Sequence, residues 1–144
     1  MKTRYAFVPL AVGLMLAGCQ CGRKTTTPTE DSIIEAAYNY SMAMANYNVD
    51  KAIPFATDET QKTTLMRAKQ LIQAVGDEYI KSDTPAKIEI TDVEITSDTT
   101  AYAIYHKTTP LKNFSDTIQL RKRDGKWLAH ALMMQVSKPA EPQQ

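Results

Sequence analysis

The spacing of apolar residues changes from a helical period to a period of two near residue 87, and this change limits the fold more than any other feature. Before it, apolar side chains recur every three or four residues, as on one face of an amphipathic helix. After it, apolar and polar residues alternate, as in strands that bury one face. Helices followed by strands predict an α+β domain in which the helices pack on one face of an antiparallel sheet.

The first helix is predicted to begin after Thr27 and to run to about Asn46. Thr27-Pro28-Thr29-Glu30 has the pattern of a capping box, with proline at the first helical position. The buried stripe predicted for this helix consists of Ile33, Ala37, Tyr40, Met44 and Tyr47.

The second helix is predicted to follow Thr57, whose hydroxyl can cap it. Asp58 and Glu59 then lie in the first turn, where the helix dipole favours negative charge. Gly76 marks the expected end of the helix. The buried stripe predicted for it consists of Leu65, Ala68, Ile72, Val75 and Tyr79.

Four strands are predicted to follow, over residues 87–96, 99–108, 114–122 and 126–136. The first loses its alternation at Thr91-Asp92, which indicates a β-bulge or a bend. Asp124-Gly125 is a strong signal for a two-residue hairpin turn.

The fourth strand is predicted to be apolar on both faces. One face would carry Trp127, Ala129, Ala131 and Met133, and the other Leu128, Leu132 and Met134. We therefore expect that a second copy of the protein, or a curled edge of the sheet, covers the outer face.

This order of elements resembles the nuclear transport factor 2-like, cystatin-like fold. More closely, it resembles small bacterial lipoproteins that carry a domain of unknown function with that fold. Short motifs across most of the chain after residue 26 support the resemblance: Ala36-Ala37-Tyr38, Asn48-Val49-Asp50-Lys51-Ala52, Thr99-Thr100-Ala101-Tyr102, Ile118-Gln119-Leu120 and Asp124-Gly125-Lys126-Trp127. The resemblance implies a curved antiparallel sheet of about four strands and a location in the cell envelope. It implies no activity.

Residues 1–18 have the three zones of a secretory signal peptide. Lys2 and Arg4 give a positive start, and the apolar run that follows is too short to span a bilayer. Leu16-Ala17-Gly18-Cys19 resembles the lipobox of bacterial lipoproteins. The resemblance implies cleavage before Cys19 and attachment of lipid, with acyl chains such as palmitate, to that residue. The alternative is an ordinary secreted protein in which Cys19 is incidental.

The chain after the leader divides into three parts under this hypothesis. Residues 19–26 form a lipidated tether, 27–136 form the domain, and 137–144 form a disordered tail. Cys21 then has no cysteine left to pair with inside the chain. Of the 17 Lys and Arg residues, two lie in the leader, which leaves 15 against 16 Asp and Glu. This balance lacks the excess of positive charge that binds phosphates, so we predict no nucleic-acid partner.

The sequence contains two histidines, His106 and His130, and neither has a partner that predicts chemistry. They are not spaced as a metal pair, so we predict no metal site and no cofactor. Enzymes with the nuclear transport factor 2-like fold, which this chain resembles, use a buried carboxylate or histidine in a cavity between helix and sheet. An alternative function is therefore a small hydrolyase or isomerase that uses His130 or an inward-facing aspartate.

Several aromatic residues suit either the core or the lining of a pocket, because their rings are apolar and their tips polar. The side chains we predict as pocket lining are Tyr40, Tyr47, Tyr102, Trp127 and His130.

The sequence favours a membrane-anchored, non-enzymatic module that binds an envelope protein or a small ligand, with a homodimer through the outer sheet face as one option. Another alternative is a structural or stress-response lipoprotein. Gln20 after the lipidated cysteine favours transfer to the outer membrane, with the domain facing the periplasm.

Overall fold

In the computed structural model, which describes residues 27–132, five α-helices precede four β-strands. The helices are α1 (Pro28–Ala45), α2 (Val49–Ala52), α3 (Asp58–Thr60), α4 (Met66–Val75) and α5 (Asp77–Ser82). A 3₁₀ turn, Ile53–Phe55, follows α2, and a π-helical segment, Gln61–Leu65, connects α3 to α4. The leader, Cys19, the tether and the tail lie outside the described residues.

The capping box predicted at the start of α1 is confirmed. The Thr27 hydroxyl accepts the Glu30 amide at 3.2 Å, and the Glu30 carboxylate accepts the Thr27 amide at 2.7 Å. The predicted stripe is correct for Ile33, Ala37 and Tyr40, which are buried, whereas Met44 is partly buried.

Tyr47 was wrongly placed on this helix. The helix ends at Ala45, and Tyr47 follows it with a φ of 60°, a left-handed conformation that turns the chain out of the helix.

The second predicted helix begins where expected, at Asp58 after the Thr57 cap, and it is interrupted by the π-helical segment. Gly76, with a φ of 86°, ends α4 as predicted, and α5 follows it. The predicted stripe is correct for Leu65, Ala68 and Ile72. It was wrong for Val75 and Tyr79, each 43% exposed, because the glycine breaks the helix and ends the continuous face.

The sheet is an antiparallel meander with the order β1-β2-β3-β4. The strands are β1 (Lys87–Ser97), β2 (Thr100–Thr108), β3 (Asn113–Arg123) and β4 (Lys126–Ala129). The predicted bulge is confirmed by a shift in register between Ile90 and Asp92. The predicted hairpin is also confirmed, with positive φ angles of 50° at Asp124 and 74° at Gly125.

The extent predicted for β4 was wrong, because the strand ends at Ala129 instead of continuing to residue 136. One more backbone bond joins the chain to β3, from the His130 amide to the Gln119 carbonyl at 2.8 Å, and the segment that contains α3 holds the outer edge of the chain. The Ala129 carbonyl accepts the Thr57 amide at 2.9 Å, and the Ala131 carbonyl accepts the Thr64 hydroxyl. Residues 133–136 lie outside the described range.

The core lies between α1 and the inner face of the sheet. Every second residue on β2 and β3 faces the core. The most deeply buried of these residues are Ala101, Ala103, Ile118 and Leu120. Ala52, Ala56, Leu65 and Ala68 close the core from the helical side. The predicted α+β class, with helices on one face of an antiparallel sheet, is confirmed. Within residues 27–132, none of the helices is long and apolar enough to cross a bilayer.

Candidate functional site

The most completely buried ionisable group in the described chain is the carboxylate of Asp83, which is 0% exposed. Asp83 follows α5, and three other side chains hold its carboxylate. The Tyr47 hydroxyl donates to Oδ2 at 2.6 Å, the Thr109 hydroxyl donates to Oδ1, and Lys112 Nζ lies 3.6 Å from Oδ2. The cluster therefore joins the end of α1, the end of α5 and the loop between β2 and β3.

Opposing effects set the ionisation of Asp83. Burial raises the pKa of this carboxyl, but hydrogen bonds from Thr109 and Tyr47 and the charges of Lys112 and Lys107 outweigh burial. The pKa of Asp83 therefore lies below its usual value, and the group is a carboxylate at neutral pH. Burial and the bond to this anion raise the pKa of Tyr47, so the phenol stays protonated. A carboxylate held in this way is a structural anchor, because both of its oxygens already have donors.

A second buried polar cluster surrounds His130, which is 5% exposed. Its Nδ1 lies 3.0 Å from the Thr57 hydroxyl, which lies 2.9 Å from the hydroxyl of Thr60. Thr57 Oγ1 also accepts the Thr60 amide at 3.4 Å. When the imidazole is neutral and carries its proton on Nε2, Nδ1 accepts the Thr57 hydroxyl proton. The cluster ties the chain after β4 to the start of α3.

The environment of His130 disfavours its charged form. Burial is the largest cause of its lowered pKa, and the positive charges of Arg121 and Arg123 add to it, whereas Glu59 acts in the opposite direction. A neutral imidazole with so little exposed surface suits a structural role better than proton transfer to a bound molecule.

The centre of the inner face of the sheet is apolar. Ala101, Ala103, Ile118 and Leu120 occupy successive inward positions on β2 and β3. The next inward pair in the same row is Tyr105 and Asp116. Burial and the neighbouring Asp116 raise the pKa of Tyr105 to about 12. One polar atom nearby on α1 stands out. The Ser41 hydroxyl is buried and has no hydrogen-bond partner among the described residues.

A wide groove lies outside this core, along the C-terminal half of α1. It has a volume of about 800 Å³, and its apolar lining consists of Met42, Ala43, Pro54, Phe55, Pro85 and Ala86. Three asparagines and the charged residues Asp50 and Lys51 lie at its border, and the side chains of Asn46 and Asn48 are already bonded. The Asn46 side chain donates to the Met42 carbonyl and accepts the Ala86 amide, each at 2.9 Å. The groove is thus an apolar surface with a few fixed polar groups, as small-molecule and peptide sites have.

A smaller cleft of about 340 Å³ lies at the other end of α1. Phe55 and Trp127 form its apolar wall, and Lys122, Lys126 and Glu35 border it. The Lys122 ammonium lies 5.9 Å from the centre of the Trp127 ring, within the range of a cation–π contact. The cleft carries both signs of charge, which gives it no preference for anions or cations.

The five side chains predicted to line a pocket do not meet in one cavity. Tyr40 is buried in the core, and Tyr47 is bonded to Asp83 at the end of α1. Tyr102 faces outward on β2, where Gln119 donates to its hydroxyl at 3.1 Å. Trp127 lines the smaller cleft, and His130 contacts Thr57, the residue just before α3.

Sequence reasoning missed Asp83 as a buried group. Its hydrogen-bond partners Tyr47 and Thr109 lie 36 and 26 residues away in the chain, so no local sequence motif predicts the cluster. Within the described part of the chain, no three His, Cys, Asp or Glu side chains are placed to hold a metal ion.

Comparison with known proteins adds a fold assignment. No protein-family model matches the sequence, and no curated protein matches it. Among solved structures, the chain is similar to a Campylobacter jejuni protein provisionally described as an NTF2-like transpeptidase. The identity is 17%, the TM-score is 0.52, and the match covers 73% of this chain and 99% of that one.

Two further structures are similar at lower TM-scores. An NTF2-like protein of unknown function from Shewanella oneidensis has 13% identity and a TM-score of 0.47, with 70% of this chain and 93% of that one covered. A ketosteroid isomerase-like protein from Erwinia carotovora atroseptica has 18% identity and a TM-score of 0.46, with 72% and 92% covered. The likeness to the Campylobacter jejuni protein, at 17% identity, establishes the fold alone. The chain has the nuclear transport factor 2-like fold.

Proposed function

We propose that the protein is a lipid-anchored module of the bacterial cell envelope that binds a partner protein or a small ligand and has no catalytic activity of its own. The apolar centre of the inner sheet face carries this proposal. Ala101, Ala103, Ile118 and Leu120 occupy that centre and offer no acid or base to a bound molecule.

The buried ionisable groups support a non-catalytic role. Asp83 is bonded by Tyr47 and Thr109, and His130 is bonded by Thr57, so each is engaged in holding two segments together. A catalytic group needs access to the proton that it moves.

The groove along α1 is the proposed binding surface. Its volume of about 800 Å³ falls within the range of ligand sites, and its lining is mostly apolar with asparagine amides at the border. Binding there does not require the core to open.

The anchor is proposed from the sequence, since Leu16-Ala17-Gly18-Cys19 resembles a lipobox. A diacylglycerol plus a further acyl chain gives stable attachment, because each buried methylene contributes about 0.8 kcal/mol. The domain would then face the periplasm from the outer membrane.

Cys19→Ala tests the anchor, and Cys21→Ala is the matched control two residues away. We expect that Cys19→Ala prevents cleavage and the addition of lipid, as measured by the mass of the N-terminal peptide, whereas Cys21→Ala leaves both unchanged. A lipid-free Cys19 in the cleaved wild-type protein would overturn the anchor.

A photo-crosslinking residue at Met42 tests the groove, and the same residue at Tyr38, an exposed position on α1, is the control. We expect a crosslinked species in intact cells from position 42 and none from position 38. Equal crosslinking at both positions would contradict a specific site in the groove.

A further inference from the structure

Helix α4 exposes apolar side chains instead of burying them. Ala68 is its one buried residue, whereas Met66 is 58% exposed, Leu71 50% and Val75 43%. Met66 and Leu71 lie on the same side of the helix as Thr63, Arg67 and Gln70, and these five residues line a shallow depression. We call this surface the α4 face.

The charges within the helical segment that carries the α4 face have one sign. Residues 61–76 contain Lys62, Arg67 and Lys69 and no Asp or Glu. Lys69 pairs with Asp50 at 2.6 Å, on the side of the helix towards α2. The short helices on either side differ, since α3 begins with Asp58 and Glu59 and α5 begins with Asp77 and Glu78. Glu59 already lies 3.6 Å from the Arg123 guanidinium. Exposed apolar residues bordered by cations are typical of helices that lie on an anionic membrane surface.

We infer that the α4 face rests on the anionic headgroup region of the membrane to which Cys19 attaches the protein. Met66 and Leu71 enter the interface, and Lys62 and Arg67 contact lipid phosphates. The inference rests on the proposed lipid anchor and adds the orientation of the domain on the bilayer.

The length of chain before α1 permits this contact. Residues 19–26 reach at most about 29 Å when fully extended, and a domain of this size has a radius of gyration of about 13 Å. The tether can therefore bring to the bilayer a face on the side of the domain where Thr27 lies. The β3–β4 hairpin borders both the start of α1 and the start of α3, the helix that leads into α4, so the α4 face lies near that side. The anchor also raises the local concentration of the domain at the membrane to the millimolar range, so even a weak contact forms.

Site-specific fluorescence on the full lipid-anchored protein tests the inference. In a Cys21→Ser background, Met66→Cys and Leu71→Cys each place one thiol on the α4 face, because lipid occupies the Cys19 sulfur. Leu111→Cys is the matched control, since Leu111 is 54% exposed in the loop between β2 and β3. Each thiol carries an environment-sensitive dye, and the protein is reconstituted in vesicles that contain phosphatidylglycerol and a quencher in the acyl region.

We expect quenching at positions 66 and 71 to exceed that at 111 by at least about threefold, because only dyes in the interface meet the quencher. The difference in quenching between these positions and position 111 should be smaller in vesicles of phosphatidylcholine alone and in the Arg67→Glu variant, because each change removes the attraction between cation and anionic lipid. Lys81→Glu on α5 should leave the difference unchanged. Equal quenching at all three positions overturns the inference. The inference is also overturned if the dye at position 66 is shielded from water when no vesicles are present. A second copy of the protein or residues 133–144 would then cover the α4 face.

Flotation of the protein with the vesicles reports the anchor separately. A protein that floats while position 66 stays as accessible as position 111 contradicts the α4 contact alone. A protein that does not float contradicts both the anchor and the contact.

Discussion

The Tyr47 hydroxyl donates a 2.6 Å hydrogen bond to the Asp83 carboxylate, and this bond joins the end of α1 to the end of α5. Thr109 donates to the other oxygen of the same carboxylate. Because Asp83 is fully buried, each donor compensates part of the cost of removing the charge from water. The helical layer and the sheet are thus connected by a charged group at the end of the domain where α1 finishes.

Tyr47→Phe tests the contribution of this bond to stability. The substitution removes one donor and leaves the buried carboxylate with less compensation, so we expect the free energy of unfolding to fall by about 1–3 kcal/mol. Urea denaturation measures the change. Tyr38→Phe on the exposed side of α1 is the control and should change stability by less than about 0.5 kcal/mol. Equal effects of the two substitutions would contradict the role of the bond.

The lowered pKa of Asp83 predicts a dependence of stability on pH. A carboxyl whose pKa is lower in the folded state contributes stability above its unfolded pKa and loses that contribution as the pH falls through the folded value. The loss should therefore begin below the usual pKa of 3.8. In Asp83→Asn, the free energy of unfolding should be lower at neutral pH and should fall less steeply below pH 3.8 than in the wild type. Parallel curves for the two proteins would contradict the assignment.

His130 predicts a second pH dependence, in a higher range. Its pKa is lowered in the folded state, so the unfolded chain binds the proton more readily and stability falls as the pH drops below 6.5. We expect His130→Gln to reduce this fall between about pH 7 and 5, as measured by denaturation at each pH. His106→Gln is the control, because His106 is partly exposed on β2 and bonded to Ser115 at 3.1 Å.

Ser41→Ala should stabilise the protein, because the Ser41 hydroxyl is buried without a hydrogen-bond partner among the described residues. Removing it eliminates an uncompensated desolvation cost and raises helix propensity, so we expect a gain of about 1 kcal/mol in the free energy of unfolding. Ser32→Ala is the control, since that exposed hydroxyl already donates to the Pro28 carbonyl at 3.0 Å. A loss of stability in Ser41→Ala would indicate that the hydroxyl has a partner, such as bound water.

The homodimer through the outer sheet face stays a prediction, and Ile104 tests it. Ile104 is 40% exposed at the centre of that face. If the face pairs with a second copy, Ile104→Glu should convert a dimer to a monomer in light scattering, because it buries a charge at the interface. Leu111→Glu, at a comparably exposed position off the sheet, should leave the mass unchanged. A monomeric wild-type protein would rule out the dimer.

Features that depend on neighbouring residues could be predicted from the sequence. The capping box at Thr27 and the hairpin turn at Asp124-Gly125 need only bonds and backbone angles within four residues, so their composition reveals them. The bulge between Ile90 and Asp92 was visible because one extra residue shifts the alternation of apolar side chains.

Features that depend on distant partners could not be predicted. The buried stripe of the second helix was extended to Val75 and Tyr79 because periodicity shows which face is apolar and does not show how far the core reaches. The end of β4 was misplaced because the donors that hold its outer edge, Thr57 and Thr64, are more than 60 residues earlier in the chain.

Local sequence patterns were enough to establish the α+β order of the elements, the caps and turns at their ends, and the lipobox-like motif at Cys19 on which the anchor is proposed. The packed structure was needed to show that Asp83 is buried with Tyr47 and Thr109, that His130 is held by Thr57, and that the predicted pocket residues lie apart. Helix caps and hairpin turns form within a few residues. Burial and side-chain hydrogen bonds between elements depend on how those elements pack.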